Sequence, residues 1–318
     1  METPWIRPIT AVFLFVVAWG QVRVVAGPMQ DSDSPAAPIG TVVPDVIYGR
    51  VDALALTYDL LVPVAKPNGA TVIFIVSGGW NSVWFPPEMA MVPEWNGMSL
   101  LHDLLVDGYH VAVVRHGSAP RYKIPDAADH VRKALQHLRK NAAKRGIDPE
   151  RIGAFGFSAG GHLSLYLAML GGDEATPALR SSRSEADGAI DPGAAPVAAV
   201  VVWYPPVDIV RIVGPSESFP ALDFDPELAD EISPIRHVDS GDAPVLIQHG
   251  TADRLVPLEG SRMMLETLKK AGVPAELEIY EGAGHGFKAD DAIRSSGLAK
   301  AWFDRWLLPQ SDAVSPSR

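Results

Sequence analysis

Arg151-Ile152-Gly153-Ala154-Phe155-Gly156-Phe157-Ser158-Ala159-Gly160-Gly161-His162 is a run in which a strand pattern gives way to a helix pattern at a serine. Ile152 to Phe157 is short, small and apolar, as a buried strand is. Beyond the serine, Leu163, Tyr166, Leu167 and Leu170 recur at i, i+3, i+4 and i+7, the spacing of one helix face. Gly156-Phe157-Ser158-Ala159-Gly160 fits G-x-S-x-G, a sharp turn that lifts a serine hydroxyl off the end of a sheet. Gly156 and Gly160 lack the Cβ atoms that would collide in so tight a turn. The Ala159 N–H and the positive helix N-terminus are then available to an oxyanion. Gly and Ser also crowd ordinary loops. The pattern gains its weight from the strand before it and the helix after it.

A serine so placed needs a base within hydrogen-bond reach and an acid to orient that base. Around such an elbow the chain order is serine, then Asp or Glu, then His, each on a loop after a strand. His249-Gly250-Thr251-Ala252-Asp253 follows the strand pattern Val245 to Gln248, which makes Asp253 the natural acid. Gly282-Ala283-Gly284-His285-Gly286-Phe287 follows the next strand, which makes His285 the base. Taken singly, Asp253 reads equally as a turn aspartate and His285 as a satisfied loop histidine. Their order on successive expected loops carries the assignment. Glu281 is the fallback acid, disfavoured because it lies so close to His285. His162 is expected to pack or bond beneath the elbow, and His249 to be structural. His102, His130 and His137 fall on helix patterns as surface or packing residues. No H-E-x-x-H pattern occurs, and neither a metal nor another cofactor is expected.

Outward from the elbow, strand patterns alternate with helix patterns. Strands are expected at 46–51, 53–62, 71–76, 110–114, 197–203, 245–248 and 275–280. Thr71 to Val76 is β-branched and continuously apolar, as a strand covered on both faces is. Helices are expected from Ser99, as a cap, to Gly108, from Pro125 to Gly146, over 258–271 and over 289–307. Residues 172–196 read as a surface loop. Residues 205–243 have no clean period and read as an insertion over the site. The alternation implies a mostly parallel sheet with helices on both faces.

The chain has 318 residues, of which 47% are hydrophobic, enough for one large α/β domain. Its formal net charge of -11 argues against a nucleic-acid partner, which calls for a basic patch. It has no cysteine, hence no disulfide and no thiolate metal site. Arg7 followed by the apolar run Thr10 to Ala18 reads as a secretory signal peptide over 1–26, with cleavage after Gly20 or Ala26. The run is short for a membrane span, which needs about 20 apolar residues. An uncleaved anchor is the alternative, because Arg23 lies in the cleavage region. No stable membrane anchor is expected after cleavage. A linker is expected at 27–42, a catalytic domain at 43–309 and a flexible tail at 310–318.

With these residues in view, the sequence resembles the α/β-hydrolase superfamily. More narrowly, it is similar to bacterial esterases and lipases that include feruloyl- and acetyl-xylan-esterase-like enzymes, near the prolyl-oligopeptidase catalytic domain. Five segments carry the resemblance: Ile147 to Gly153, Gly156 to His162, Tyr204 to Asp208, Pro244 to Pro257 and Gly282 to Phe287. It implies an α/β-hydrolase fold and a secreted or periplasmic serine hydrolase of carboxylic esters. Ser158 would be the nucleophile, His285 the base and Asp253 its orienter, acting on a small-molecule or carbohydrate-linked ester. The family usually reads His-Gly-Gly-Gly-Trp at the oxyanion loop. Here Val76-Ser77-Gly78-Gly79-Trp80 stands in its place, so the His and first Gly are gone. Gly78 and/or Gly79 with Ala159 are the expected oxyanion donors, held by different supporting bonds. Trp80, Trp84, Phe85 and Trp95 are candidate walls of the acyl pocket, with Trp203 and Tyr204. The alternative is that they only pack the loop onto the core. Two other readings compete. One is a prolyl-oligopeptidase-type peptidase, against which no propeller-sized segment precedes the hydrolase region. The other is a non-catalytic binding protein on the same fold.

Overall fold

The structure is a computed structural model, and it describes residues 38–94, 97–169 and 197–309. The predicted signal peptide, the 172–196 loop, the tail and Trp95 lie outside the described residues. Eight strands form one sheet: β1 (Gly40–Val51), β2 (Leu54–Pro63), β3 (Thr71–Ile75), β4 (His110–Val114), β5 (Ile152–Phe157), β6 (Ala199–Trp203), β7 (Val245–Gly250) and β8 (Ala275–Tyr280). Their spatial order is β1-β2-β4-β3-β5-β6-β7-β8. β1 and β2 run antiparallel to their neighbours, and every pairing from β4 through β8 is parallel. β1 begins at Gly40, inside the stretch expected to be linker, because Gly40 to Val43 pair with Pro63 to Leu60.

The alternation of side chains along β3 explains the layers. Ile73 and Ile75 face one core, shared with helices α2 (Ile124–Lys140) and α4 (Ala159–Met169). Val72 and Phe74 face the other, shared with α1 (Leu100–Val106) and the closing helix Ala289–Leu307. All five residues of β3 are buried, as a strand covered on both faces must be. Each such Val, Ile or Phe contributes roughly 1.5–3 kcal/mol by leaving water. A short helix α3 (Ala142–Arg145) follows α2 and stops at Gly146, whose φ of 69° is the left-handed cap expected there. The last two helices are α5 (Leu258–Ala271) and α6 (Ala289–Leu307), with the bounds that the sequence predicts.

Two local expectations fail. The side chain of Ser99 does not cap α1; instead its own N–H donates to Ser296 Oγ on α6 at 3.3 Å. The loop after β3 contains a 3-10 turn at Pro87–Met91, which the paired prolines start and no apolar period announces. The insertion after β6 contains four short 3-10 turns, three of them with Pro in the first turn. β3 lies between β4 and β5, so the connections leaving β3 and β5 depart to opposite sides. A crevice opens at such a switch point, beyond the carboxyl ends of the strands.

Candidate active site

The elbow forms between β5 and α4. Ser158 has φ of 51°, a left-handed conformation that a non-glycine residue adopts only when its surroundings force it. Ser158 N–H donates to Trp203 O at 2.9 Å, and Gly160 N–H to Ser77 O at 3.2 Å, so both neighbouring strand ends hold the turn. A Cβ on Gly156 would stand 2.4 Å from the Gly160 carbonyl, and one on Gly160 would stand 2.5 Å from Ile75 O. Only glycine fits either place. Left-handed residues also follow β3 and β6: Trp80 at φ 58° and Tyr204 at φ 40°. Three strand ends thus carry strained residues at one edge of the sheet.

Asp253 and His285 meet. Their loops leave the carboxyl ends of the paired strands β7 and β8, and Ala252 N–H donates to Ala283 O at 2.9 Å. Gly250 lets the loops come this close, since a Cβ there would lie 2.1 Å from Ala283 O. His285 Nδ1 stands 2.7 Å from Asp253 Oδ2. A carboxylate only accepts, so Nδ1 carries the proton and Nε2 is the free basic nitrogen. Asp253 is wholly buried, which opposes ionisation. Donors from His249, His285 and the Val256 N–H outweigh that and hold the carboxyl well below the usual carboxylate range. Glu281 is exposed and accepts from Thr251 Oγ1, away from this pair. The Ser158 hydroxyl makes no hydrogen bond to His285 or to any other described residue. The Tyr204 ring lies against the His285 ring, centroids 4.4 Å apart, and Tyr204 directly follows the strand end that holds Ser158.

The Ser77–Trp80 loop, the expected oxyanion loop, departs from expectation at two residues. Gly78 N–H is already committed to Asn81 O at 2.9 Å in a small bridge, so Gly78 is not a free donor. The N–H groups of Gly79, Trp80 and Ala159 have no partner among the described residues, Ala159 because it opens a helix. The Trp80 ring is not a pocket wall; it is 4% exposed. Its Nε1–H donates to His162 Nδ1 at 3.1 Å, while His162 Nε2 stands 2.7 Å from Ile232 O. The carbonyl fixes the proton on Nε2, so Nδ1 is the acceptor that Trp80 requires. Burial pushes the His162 pKa down to about 4, which keeps it neutral at ordinary pH. This chain of bonds holds the loop where the family's His and first Gly are lacking.

Of the other aromatic candidates, Trp203 is wholly buried and is core, while Trp84 is 63% exposed. Phe85 packs toward Phe74. Phe219, in the insertion, was not foreseen. Its ring would lie 3.0 Å from a Cβ on Gly79, which makes it a side chain packed directly on the oxyanion loop. Its signal is weak in the sequence, one apolar residue in a stretch without period.

The sheet order, the strained serine elbow and the Asp253–His285 pair, its carboxylate buried, define an α/β-hydrolase. The BD-FAE family profile matches residues 58–268, two thirds of the sequence, and the chain belongs to that family. The matched span includes Ser158 and Asp253 and ends before His285. Among curated proteins, the chain is 29% identical over 246 residues to Esterase LipC of Mycobacterium tuberculosis, covering 73% of this chain and 57% of that one. It is 30% identical over 288 residues to Esterase LipQ of the same organism, covering 86% of this chain and 61% of that one. The chain therefore spans little more than half the length of these relatives. Among solved structures, it is similar to a truncated carbohydrate esterase from gut microbiota, with TM-score 0.66 and 26% identity over 85% of this chain and 98% of that one. It is also similar to a Thermogutta terrifontis esterase, Est2, with butyrate bound: TM-score 0.64 and 28% identity over 87% and 98%.

Proposed function

We propose that this protein is a serine hydrolase of carboxylic esters that works through an acyl-enzyme. The observation that carries the reading is the 2.7 Å contact between His285 Nδ1 and Asp253 Oδ2 at the end of the sheet that bears the strained Ser158. Ser158 Oγ attacks the acyl carbon, and its proton passes to His285 Nε2. The tetrahedral oxyanion is met by Ala159 N–H together with the free N–H groups of Gly79 and Trp80. His285 returns the proton to the leaving alcohol, whose departure leaves an acyl group on Ser158. Water, deprotonated by the same nitrogen, then attacks that ester and frees the acid. Asp253 keeps the imidazole proton on Nδ1 and stabilises the imidazolium. In hydrolases of this kind, the serine–histidine bond shortens once substrate is seated.

The relatives' names favour a small-molecule or carbohydrate-linked ester as substrate. The apolar run Thr10 to Ala18 supports export, with a mature chain starting near Gln21 or Gly27. N-terminal sequencing of exported material checks this, and an intact Met1 on active cytoplasmic protein would overturn it. The chemistry is tested with a fluorophosphonate probe. It should label the wild type and leave Ser158→Ala unlabelled. A panel of p-nitrophenyl esters, acetylated xylan, feruloyl esters and peptide amides then sets the substrate class. Turnover of amides alone would refute the ester reading.

A further inference from the structure

His249 is the penultimate residue of β7 and has no solvent exposure. Both of its ring nitrogens are engaged. Nδ1 lies 2.7 Å from Ser261 Oγ, itself wholly buried on α5. Nε2 lies 2.9 Å from Val256 O and 3.4 Å from Asp253 Oδ2. A carbonyl and a carboxylate oxygen can only accept, so the ring proton is on Nε2. Nδ1 is then a bare acceptor, and the Ser261 hydroxyl must donate to it. The tautomer is set from both ends.

This arrangement encloses the acid. Asp253 Oδ1 accepts the N–H groups of Leu255 at 2.8 Å and Val256 at 2.9 Å. Asp253 Oδ2 faces two imidazole N–H groups, that of His285 at 2.7 Å and that of His249 at 3.4 Å. Val256 is gripped on both sides, its N–H by Asp253 and its carbonyl by His249. The acid loop therefore closes on His249, and the rotamer of Asp253 follows from that closure.

We propose that His249 is a positioning residue for the acid: its Nε2–H flanks Asp253 Oδ2 and pins Val256, which fixes the carboxylate against His285 Nδ1. The inference rests on the reading of Asp253 and His285 as the acid and base of the ester hydrolase. Its consequences are distinct from those of that reading. A carboxylate that has lost one of its donors is a stronger acceptor. It then stabilises the His285 imidazolium more, and the acid limb of kcat/KM moves to higher pH. A carboxylate free to rotate also holds the base in the reactive orientation for less of the time. That loss falls on kcat and leaves KM alone.

The test uses the full chain with His249→Gln, His249→Phe and Ser261→Ala, each normalised to active sites titrated with a fluorophosphonate. The Gln amide places an N–H near the lost Nε2–H and has no proton to titrate, so His249→Gln should keep kcat within about threefold of wild type. His249→Phe puts a somewhat larger ring in the same place without a donor. It should lower kcat by roughly 10–10²-fold with KM within twofold, and move the acid limb upward. Ser261→Ala releases the tautomer and should show the same two changes in smaller measure, about two- to tenfold in kcat. If His249→Phe does not fold, the comparison of Ser261→Ala with His249→Gln decides. Wild-type kcat and an unmoved acid limb in the folded donor-free variants would overturn the proposal, even with a lowered melting midpoint. Failure of the underlying reading looks different: Ser158→Ala or Asp253→Asn would then keep wild-type turnover whatever His249 does.

Discussion

Asp253→Asn exchanges one oxygen for an amide nitrogen and reverses a hydrogen bond. The amide presents a donor to His285 Nδ1, so the imidazole turns its proton to Nε2 and can no longer accept one from Ser158. A loss of roughly 10²–10⁴ in kcat is expected, with little change in the melting midpoint. Glu281→Gln should stay near wild type, because that carboxylate faces Thr251 in solvent. Steady-state kinetics on one ester, with melting curves, separates the two; a crippled Glu281→Gln would redraw the site. At this scale the sequence was most legible. The motif and the loop order lead to Ser158, Asp253 and His285, and the fold puts each of them just past the end of a strand. Gly78 and the Trp80 ring were misassigned for one reason. A motif gives the residues of a loop but not which of its N–H groups the loop consumes in its own turn, nor which way a large ring packs.

The elements that hold the site make their own predictions. Trp80→Phe removes the pyrrole part of the indole with its N–H and leaves His162 Nδ1 buried without a donor, at a cost of about 1–3 kcal/mol for the bond beside that of the small cavity. With the oxyanion loop less firmly held, kcat should fall roughly tenfold at nearly constant KM. Kinetics and melting curves together check both parts; an unchanged kcat would mean that the loop holds its shape without this bond. The turn before β7 contains Asp242, which is 6% exposed. Its Oδ2 accepts the Asp239 N–H at 2.7 Å, while its Oδ1 is buried without a partner. Burial pushes its carboxyl up to about 7, the Asp239 N–H opposing and the Asp239 charge adding. The folded protein thus holds a proton that the unfolded chain has released between pH about 4 and 7, so stability falls as pH rises through that window. Asp242→Asn should raise the melting midpoint at pH 8 and alter it little at pH 4, with roughly 2–4 °C for each kcal/mol recovered. That His162 bonds beneath the elbow is expected from the sequence, but its partners are not, and nothing there marks Asp242. The first depends on partners from distant parts of the chain, as Trp80 and Ile232 are to His162, and the second on how the fold buries a local turn; no local period encodes either. The helices over 258–271 and 289–307 were legible to the residue because each has its own apolar face and its own stops.

At the scale of the molecule, three buried neutral histidines contribute to acid sensitivity. Burial pushes His116, His130 and His162 each down to about 4. Their folded pKa values lie below the unfolded 6.5, so the unfolded chain binds more protons between about pH 4 and 6.5, and stability falls as pH drops through that window. Near pH 5 each takes up about one proton on unfolding while Asp242 releases about one, a net uptake of about two from these four groups. The slope of the unfolding free energy between pH about 4.5 and 5.5 should be steeper by about one proton in Asp242→Asn than in wild type; an identical slope would mean that Asp242 does not hold its proton in the fold. One of the three, His162, is also a point of commitment between segments far apart in the chain. It takes a proton bond from the loop after β3 and gives one to a carbonyl in the insertion after β6. Anyone recombining this chain with a relative to change what it accepts would be tempted to exchange the 205–243 insertion as a free module. It is not free. A donor segment that fails to deliver a carbonyl at position 232 unlocks the histidine, and the damage would surface as a slow enzyme whose new pocket was blamed for it.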